Sequence, residues 1–117
     1  MDLKKLSERL NEFSRERDWE QFHTPKNLAT ALSVEVSELL EIFQWSKSDG
    51  QEELVKNGEI NPEVIEELGD ILNYLVRFAD IAGIDLEKAA NDKIDINQKK
   101  YPIDVSKGNS VKYNKRK

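Results

Sequence analysis

The sequence contains no cysteine, which excludes disulfide bonds, zinc–thiolate centres and thiol catalysis. It has one histidine, His23, and that residue follows neither of the acidic motifs described below. A di-iron bundle, which needs Glu-x-x-His pairs, therefore lacks its ligands. No Asp-x-Asp-x-Asp-Gly calcium loop is present. Nor does any stretch approach the roughly 18 consecutive apolar residues of a membrane span. The N-terminus is amphipathic and charged rather than signal-peptide-like, so a cytoplasmic location is the expectation. Proline occurs only at Pro25, Pro62 and Pro102, and each marks the edge of an element.

What is present is charge. Of 117 residues, 35% are charged and 38% hydrophobic, which makes a polar chain of about one domain with a modest core. A core of that size favours oligomerisation. The net charge is −5, yet residues 103–117 set five basic side chains against Asp104 alone. The first 102 residues are therefore more acidic than the total implies. An acidic body argues against duplex nucleic acid as a partner, because such affinity rests on neutralising phosphates. It suits a site that collects a cation. The basic end has two readings, contact with the phosphates of a small ligand or a solvated tail.

Hydrophobic spacing predicts four helices and no convincing strand. The first runs from about Asp2 to Arg17, with Leu3, Leu6, Leu10 and Phe13 on one face. The second starts with Thr24 as N-cap and Pro25 at the first helical position, and reaches about Trp45. Asn61-Pro62 repeats that signal for a third helix ending at Gly83. The fourth begins at Asp85 and stops before Pro102. Residues 46–60 read as a loop. The second helix is apolar around more than half its circumference, which places it centrally in a bundle or against another subunit. The expected fold is thus all-α, a four-helix-bundle-type domain over residues 1–102 with a basic tail over 103–117, assembled as a dimer or pair of dimers.

Two acidic pairs, Glu35-x-x-Glu38 and Glu67-x-x-Asp70, place carboxylates on one side of the second and third helices. Glu35 stands among Leu28, Ala31, Leu32, Leu39 and Ile42 at helical offsets. A carboxylate in an apolar stripe must be protonated, paired or bound to a cation. On the third helix the core stripe reads Leu68, Ile71, Leu72, Leu75 and Ala79, with Glu67 at its margin and Asp70 one row further out. Glu41, Glu63 and Glu66 are outer candidates, and a plain solvated face explains Glu41 and Glu66 better than a ligand role. Oxygen-only ligation suits Mg²⁺, with Mn²⁺ as substitute, and such ions keep positions open for phosphate and water. Trp19, Phe22 and His23 precede the second helix, Trp45 closes it, and Tyr74 stands one turn past Asp70. These rings either sandwich a base or fill the bundle ends. Lys93 and Asn97 share the inward face of the fourth helix with Leu86, Ala90, Ile94 and Tyr101, and Lys100 follows. They either meet phosphate and sugar or, for Lys93, snorkel to solvent.

In their order these segments resemble the MazG-like nucleoside triphosphate pyrophosphohydrolases of the all-α NTP pyrophosphatase superfamily, and most of all the short branch that contains dCTP pyrophosphatases. The resemblance spans about residues 8–113. It is carried by Arg17-Asp18-Trp19, Gln21-Phe22-His23, Lys26-Asn27-Leu28, Glu35-Val36-Ser37-Glu38-Leu39, Phe43-Gln44-Trp45, residues 66–75 and Lys93 to Pro102. Ser37 departs from the pattern, where glycine is common. The resemblance implies cleavage of a (deoxy)nucleoside triphosphate, dCTP among the candidates, between its α- and β-phosphates. It implies Mg²⁺ on Glu35, Glu38, Glu67 and Asp70, with Glu38 and Glu35 closest to the chemistry. Trp19, Phe22, His23, Trp45 and Tyr74 would surround base and sugar, and Lys93, Asn97 and Lys100 would address phosphates and sugar. A homodimer or homotetramer would complete the sites. The competing expectations are a related pyrophosphatase for a modified nucleotide or phosphoribosyl-ATP, and a non-catalytic helical nucleotide-binding or interaction module.

Overall fold

The computed structural model describes residues 1–108. Helix α1 spans Leu3–Glu16, α2 Pro25–Phe43, α3 Gln51–Leu54, α4 Pro62–Ala82, α5 Leu86–Lys100 and α6 Ile103–Ser106. A 3₁₀ turn, Glu20–Phe22, lies between α1 and α2. The long helices begin where the side chains can satisfy their first free N–H groups. The Asp2 carboxylate accepts from Lys5 N–H at 3.0 Å, and Thr24 Oγ1 from Asn27 N–H at 3.2 Å. Asn61 Oδ1 accepts from Glu63 N–H at 3.1 Å, and Asp85 Oδ1 from Lys88 N–H at 3.0 Å. Each such cap is worth about 1 kcal/mol. Helix α4 ends at Gly83, whose φ of 69° lets Ile84 N–H turn back to Ala79 O at 2.9 Å.

Residues 46–60 are more ordered than a loop. Beside α3 they contain an antiparallel ribbon of two two-residue strands, β1 (Val55–Lys56) and β2 (Glu59–Ile60), which pair Val55 with Ile60 and Lys56 with Glu59. Asn57 and Gly58 turn the chain with φ of 54° and 77°. A two-residue hairpin turn of the mirror-image kind requires positive φ at both positions, and Asn-Gly is its preferred pair. That dipeptide was a strand signal, so the expectation of no strand is corrected here. The hairpin is tied to the start of α4, because Asn61 N–H reaches Leu54 O at 2.8 Å and its side-chain amide reaches Glu53 O at 2.9 Å.

The described chain divides into two compact units, Met1–Ile84 and a second that starts at Asp85. In the first, α4 packs against both α2 and α1. Its buried core is small and consists of Leu28, Val64, Val76 and Ala79. Leu28 is the deepest, at 2% exposure. Much of the apolar surface is uncovered. Val36 and Leu40 stand out from α2, and Ile65 and Leu68 from α4, with Leu40 63% exposed. Leu68 therefore does not belong to the covered stripe that helical period assigned to it. Periodicity identifies an apolar face, but the chain's own helices cover only part of that face. The second unit holds α5 and the short α6, which begins the stretch expected as a tail. Lys112, Lys115, Arg116 and Lys117 lie outside the described residues. No described helix is long and apolar enough to cross a membrane.

Candidate functional site

Packing of α2 on α4 brings together three carboxylates that are distant in sequence. Glu35 and Glu38, one turn apart on α2, meet Glu67 of α4 so that one oxygen from each lies within 4.8 Å of the other two. Glu35 Oε2 and Glu67 Oε2 are buried, and no N–H or hydroxyl reaches either of them. Buried acceptors without donors are costly, and those two oxygens beside a third carboxylate fit a hard divalent cation. Glu38 is exposed, on the open side of the cluster. Asp70 is exposed too and is not among the three converged groups. Its charge nevertheless acts on Glu35, Glu67 and Tyr74, which puts it at the margin of the same site.

The electrostatics follow from this crowding. Burial, then hydrogen bonding with Glu67 and Glu38, then the charges of Glu38 and Asp70 push the Glu35 carboxyl up to about 7. For Glu67 the hydrogen bond from Glu35 acts downward, but burial and the Glu38 and Asp70 charges outweigh it, and its carboxyl is raised as well. The Tyr74 phenol is raised by burial and then by Glu35, Asp70 and Glu38. Without a cation Glu35 is about half protonated near pH 7. A cation would have to displace that proton.

Next to the carboxylates lies a cleft of about 520 Å³ between α1 and α4, whose walls include Phe13, Trp19, His23, Asp70, Asn73 and Tyr74. Trp19 meets Phe13 edge to face with 5.7 Å between ring centres, and Arg17 stacks over Phe13 at 3.8 Å. The turn holding Trp19 is pinned by its N–H to Ser14 O at 2.9 Å and passes through Asp18 at φ 55°. Arg77, 6% exposed, completes the wall. Its Nε donates to His23 Nδ1 at 2.9 Å, its Nη1 to Asn11 Oδ1, and its Nη1 also pairs with Asp80 Oδ2 at 3.4 Å.

The expected aromatic set divides. Trp19, His23 and Tyr74 line the cleft, whereas Phe22 and Trp45 do not. Phe22 sits exposed on the 3₁₀ turn, and Trp45 is 84% exposed beyond the end of α2. Lys93, Asn97 and Lys100 are on α5 in the second unit, where Lys93 is exposed and Asn97 and Lys100 are half-buried. Within that unit Ile94 is exposed rather than inward.

Comparison with known proteins identifies this arrangement of helices. The family model for the MazG-like family matches residues 30–115. The chain belongs to the MazG-like family. The chain is 48% identical over 105 residues to human dCTP pyrophosphatase 1 and 44% over 102 residues to the bovine protein. Each match takes in 87% of this chain and 60% of the relative's length. A crystal structure of a pyrophosphatase from Archaeoglobus fulgidus superposes with a TM-score of 0.79 at 42% identity, covering 87% of this chain and 94% of that one. The fold is thus the mostly helical MazG-like one.

The MazG-like match includes Glu35, Glu38, Glu67, Asp70, Tyr74 and α5 but leaves out α1, Trp19 and His23. Seven of the eleven residues that line the cleft therefore come from outside the matched segment. Sequence reasoning missed Arg77, Asn11 and Asn73. Arg77 did carry a signal: it falls seven residues after Asp70 and three after Tyr74, on the same side of α4. A buried cation there needed partners, and Asn11 is 66 positions away in sequence.

Proposed function

We propose that this protein is a Mg²⁺-dependent nucleotide pyrophosphohydrolase that cleaves a (deoxy)nucleoside triphosphate, dCTP first among them, into the monophosphate and pyrophosphate. The observation that carries the reading is the cluster of Glu35, Glu38 and Glu67, two of whose buried oxygens no N–H or hydroxyl reaches. The names of the human and bovine relatives support the substrate class. The aromatic cleft beside the cluster supports a nucleoside there.

Glu35, Glu38 and Glu67 would hold Mg²⁺, with Asp70 at the edge. When bound, the ion would neutralise triphosphate charge and acidify a water. Glu38, on the open side, orients the attacking water and takes its proton as the new oxygen–phosphorus bond forms at the α-phosphorus. The bond from the α-phosphorus to its bridging oxygen breaks, and pyrophosphate leaves with the electron pair. For Lys93 and Lys100 the family resemblance implies a role on the leaving group's charge, and for Asn97 one on the sugar. Trp19, His23 and Tyr74 flank base and sugar, with Trp45 and Phe22 available to a site completed by a second subunit. The uncovered Val36, Leu40, Ile65 and Leu68 support assembly as a dimer or pair of dimers.

The test is product analysis. Incubated with dCTP and Mg²⁺, the protein should yield dCMP and pyrophosphate in equal amounts by ³¹P NMR. Formation of dCDP and phosphate, or no turnover of any canonical or modified triphosphate, would overturn the proposal.

A further inference from the structure

Arg77 is the most heavily engaged buried charge in the first unit, and no step described above uses it. A guanidinium Nε–H can only donate. The His23 nitrogen that faces it at 2.9 Å, Nδ1, must therefore present a lone pair. The imidazole is then neutral with its proton on Nε2, since an imidazolium would set N–H against N–H. Arg77 cannot swing away to relax this constraint, because its Nη1 is held by Asn11 and Asp80 and the side chain is buried. The main chain that carries His23 is fixed as well: its N–H bonds to Glu20 O at 3.1 Å, and the next residue, Thr24, caps α2. Both side chains line the cleft.

On the reading of that cleft as the nucleoside site, we propose that Arg77 is a positioning residue that locks His23 as its Nε2–H tautomer, so that the cleft offers the base a fixed donor. A fixed donor selects a base edge that presents an acceptor. Cytosine carries a bare ring nitrogen beside its carbonyl, whereas thymine and uracil carry an N–H at the corresponding position. Facing the wrong edge, the donor would be left unpaired in a partly desolvated site, which is how polar sites discriminate strongly. Burial and then the Arg77 charge hold His23 below its usual value, against an upward pull from Glu20, which favours the neutral ring.

His23 is the only histidine in the chain, so its ring nitrogens can be assigned without ambiguity in a long-range ¹H–¹⁵N spectrum of the intact protein. At pH 7.5 Nδ1 should resonate as a bare, pyridine-like nitrogen and Nε2 as a protonated one. In Arg77→Met the two signals should move towards each other as tautomers mix, and the ratio of kcat/KM for dCTP over dUTP should fall about tenfold or more, mainly through KM for dCTP. Asn11→Ala, which loosens the guanidinium without removing it, should shift both readouts in the same direction by less and covers the case in which Arg77→Met does not fold. A protonated Nδ1 in the wild-type protein, or unchanged signals and an unchanged ratio in a folded variant, would overturn the proposal. The tautomer is read without turnover. A protein with the expected spectrum but no pyrophosphohydrolase activity would refute the function proposed above and leave the Arg77–His23 lock intact.

Discussion

Binding of Mg²⁺ should release protons in an amount set by Glu35. With its carboxyl pushed up to about 7, roughly nine-tenths of Glu35 is protonated at pH 6 and about one-tenth at pH 8. The cation needs the ionised form. Apparent affinity should therefore fall about tenfold from pH 8 to pH 6, with about half a proton released per site at pH 7. An ordinary glutamate near 4.5 would give almost no change over that range. Glu67, raised as well, steepens the dependence. Titration calorimetry in two buffers of different ionisation enthalpy, at pH 6, 7 and 8, measures both quantities, and Glu35→Gln should lose most of the pH dependence together with most of the affinity. The sign for the fold itself follows. Because the folded state keeps a proton that the unfolded chain gives up, the metal-free protein should lose stability as pH rises from about 4.5 through 7. Saturating Mg²⁺ should restore that loss. Equal affinity at pH 6 and pH 8, with no buffer dependence of the heat, would refute the reasoning.

Glu38→Gln should lower kcat about 10²-fold or more and leave the circular dichroism melt nearly unchanged, since the side chain is exposed and buries no packing. Leu28→Ala, at the deepest position of the first unit, should cost about 2–5 kcal/mol and depress Tm by ~10–25 °C in a thermal melt. Leu40→Glu places a charge on the uncovered face of α2 and should shift sedimentation towards a monomer, with activity lost in parallel.

Helix positions were legible because their ends are written locally. Thr24-Pro25 and Asn61-Pro62 open α2 and α4, Asp85 opens α5, and Gly83 closes α4. The acidic cluster was legible for a different reason: Glu35 sits in an apolar stripe, and a lone buried acid is rare enough to demand a partner. The ribbon at Val55–Ile60 was missed although Asn57-Gly58 announces it, because two-residue strands are too short to show alternation. Leu68 was misplaced since period reports which face is apolar, not whether a neighbour covers it. Arg77 could not be paired from sequence, as its partners Asn11 and His23 lie on other elements 66 and 54 residues away.

The three glutamates from α2 and α4 are proposed to gather a hard cation, and crystals soaked in Mn²⁺ offer the shortest route to that claim. An anomalous difference map should show a peak coordinated by Glu35, Glu38 and Glu67, with oxygen distances of about 2.0–2.2 Å. A map with no peak there at saturating Mn²⁺, or with the ion bound only elsewhere, would contradict it.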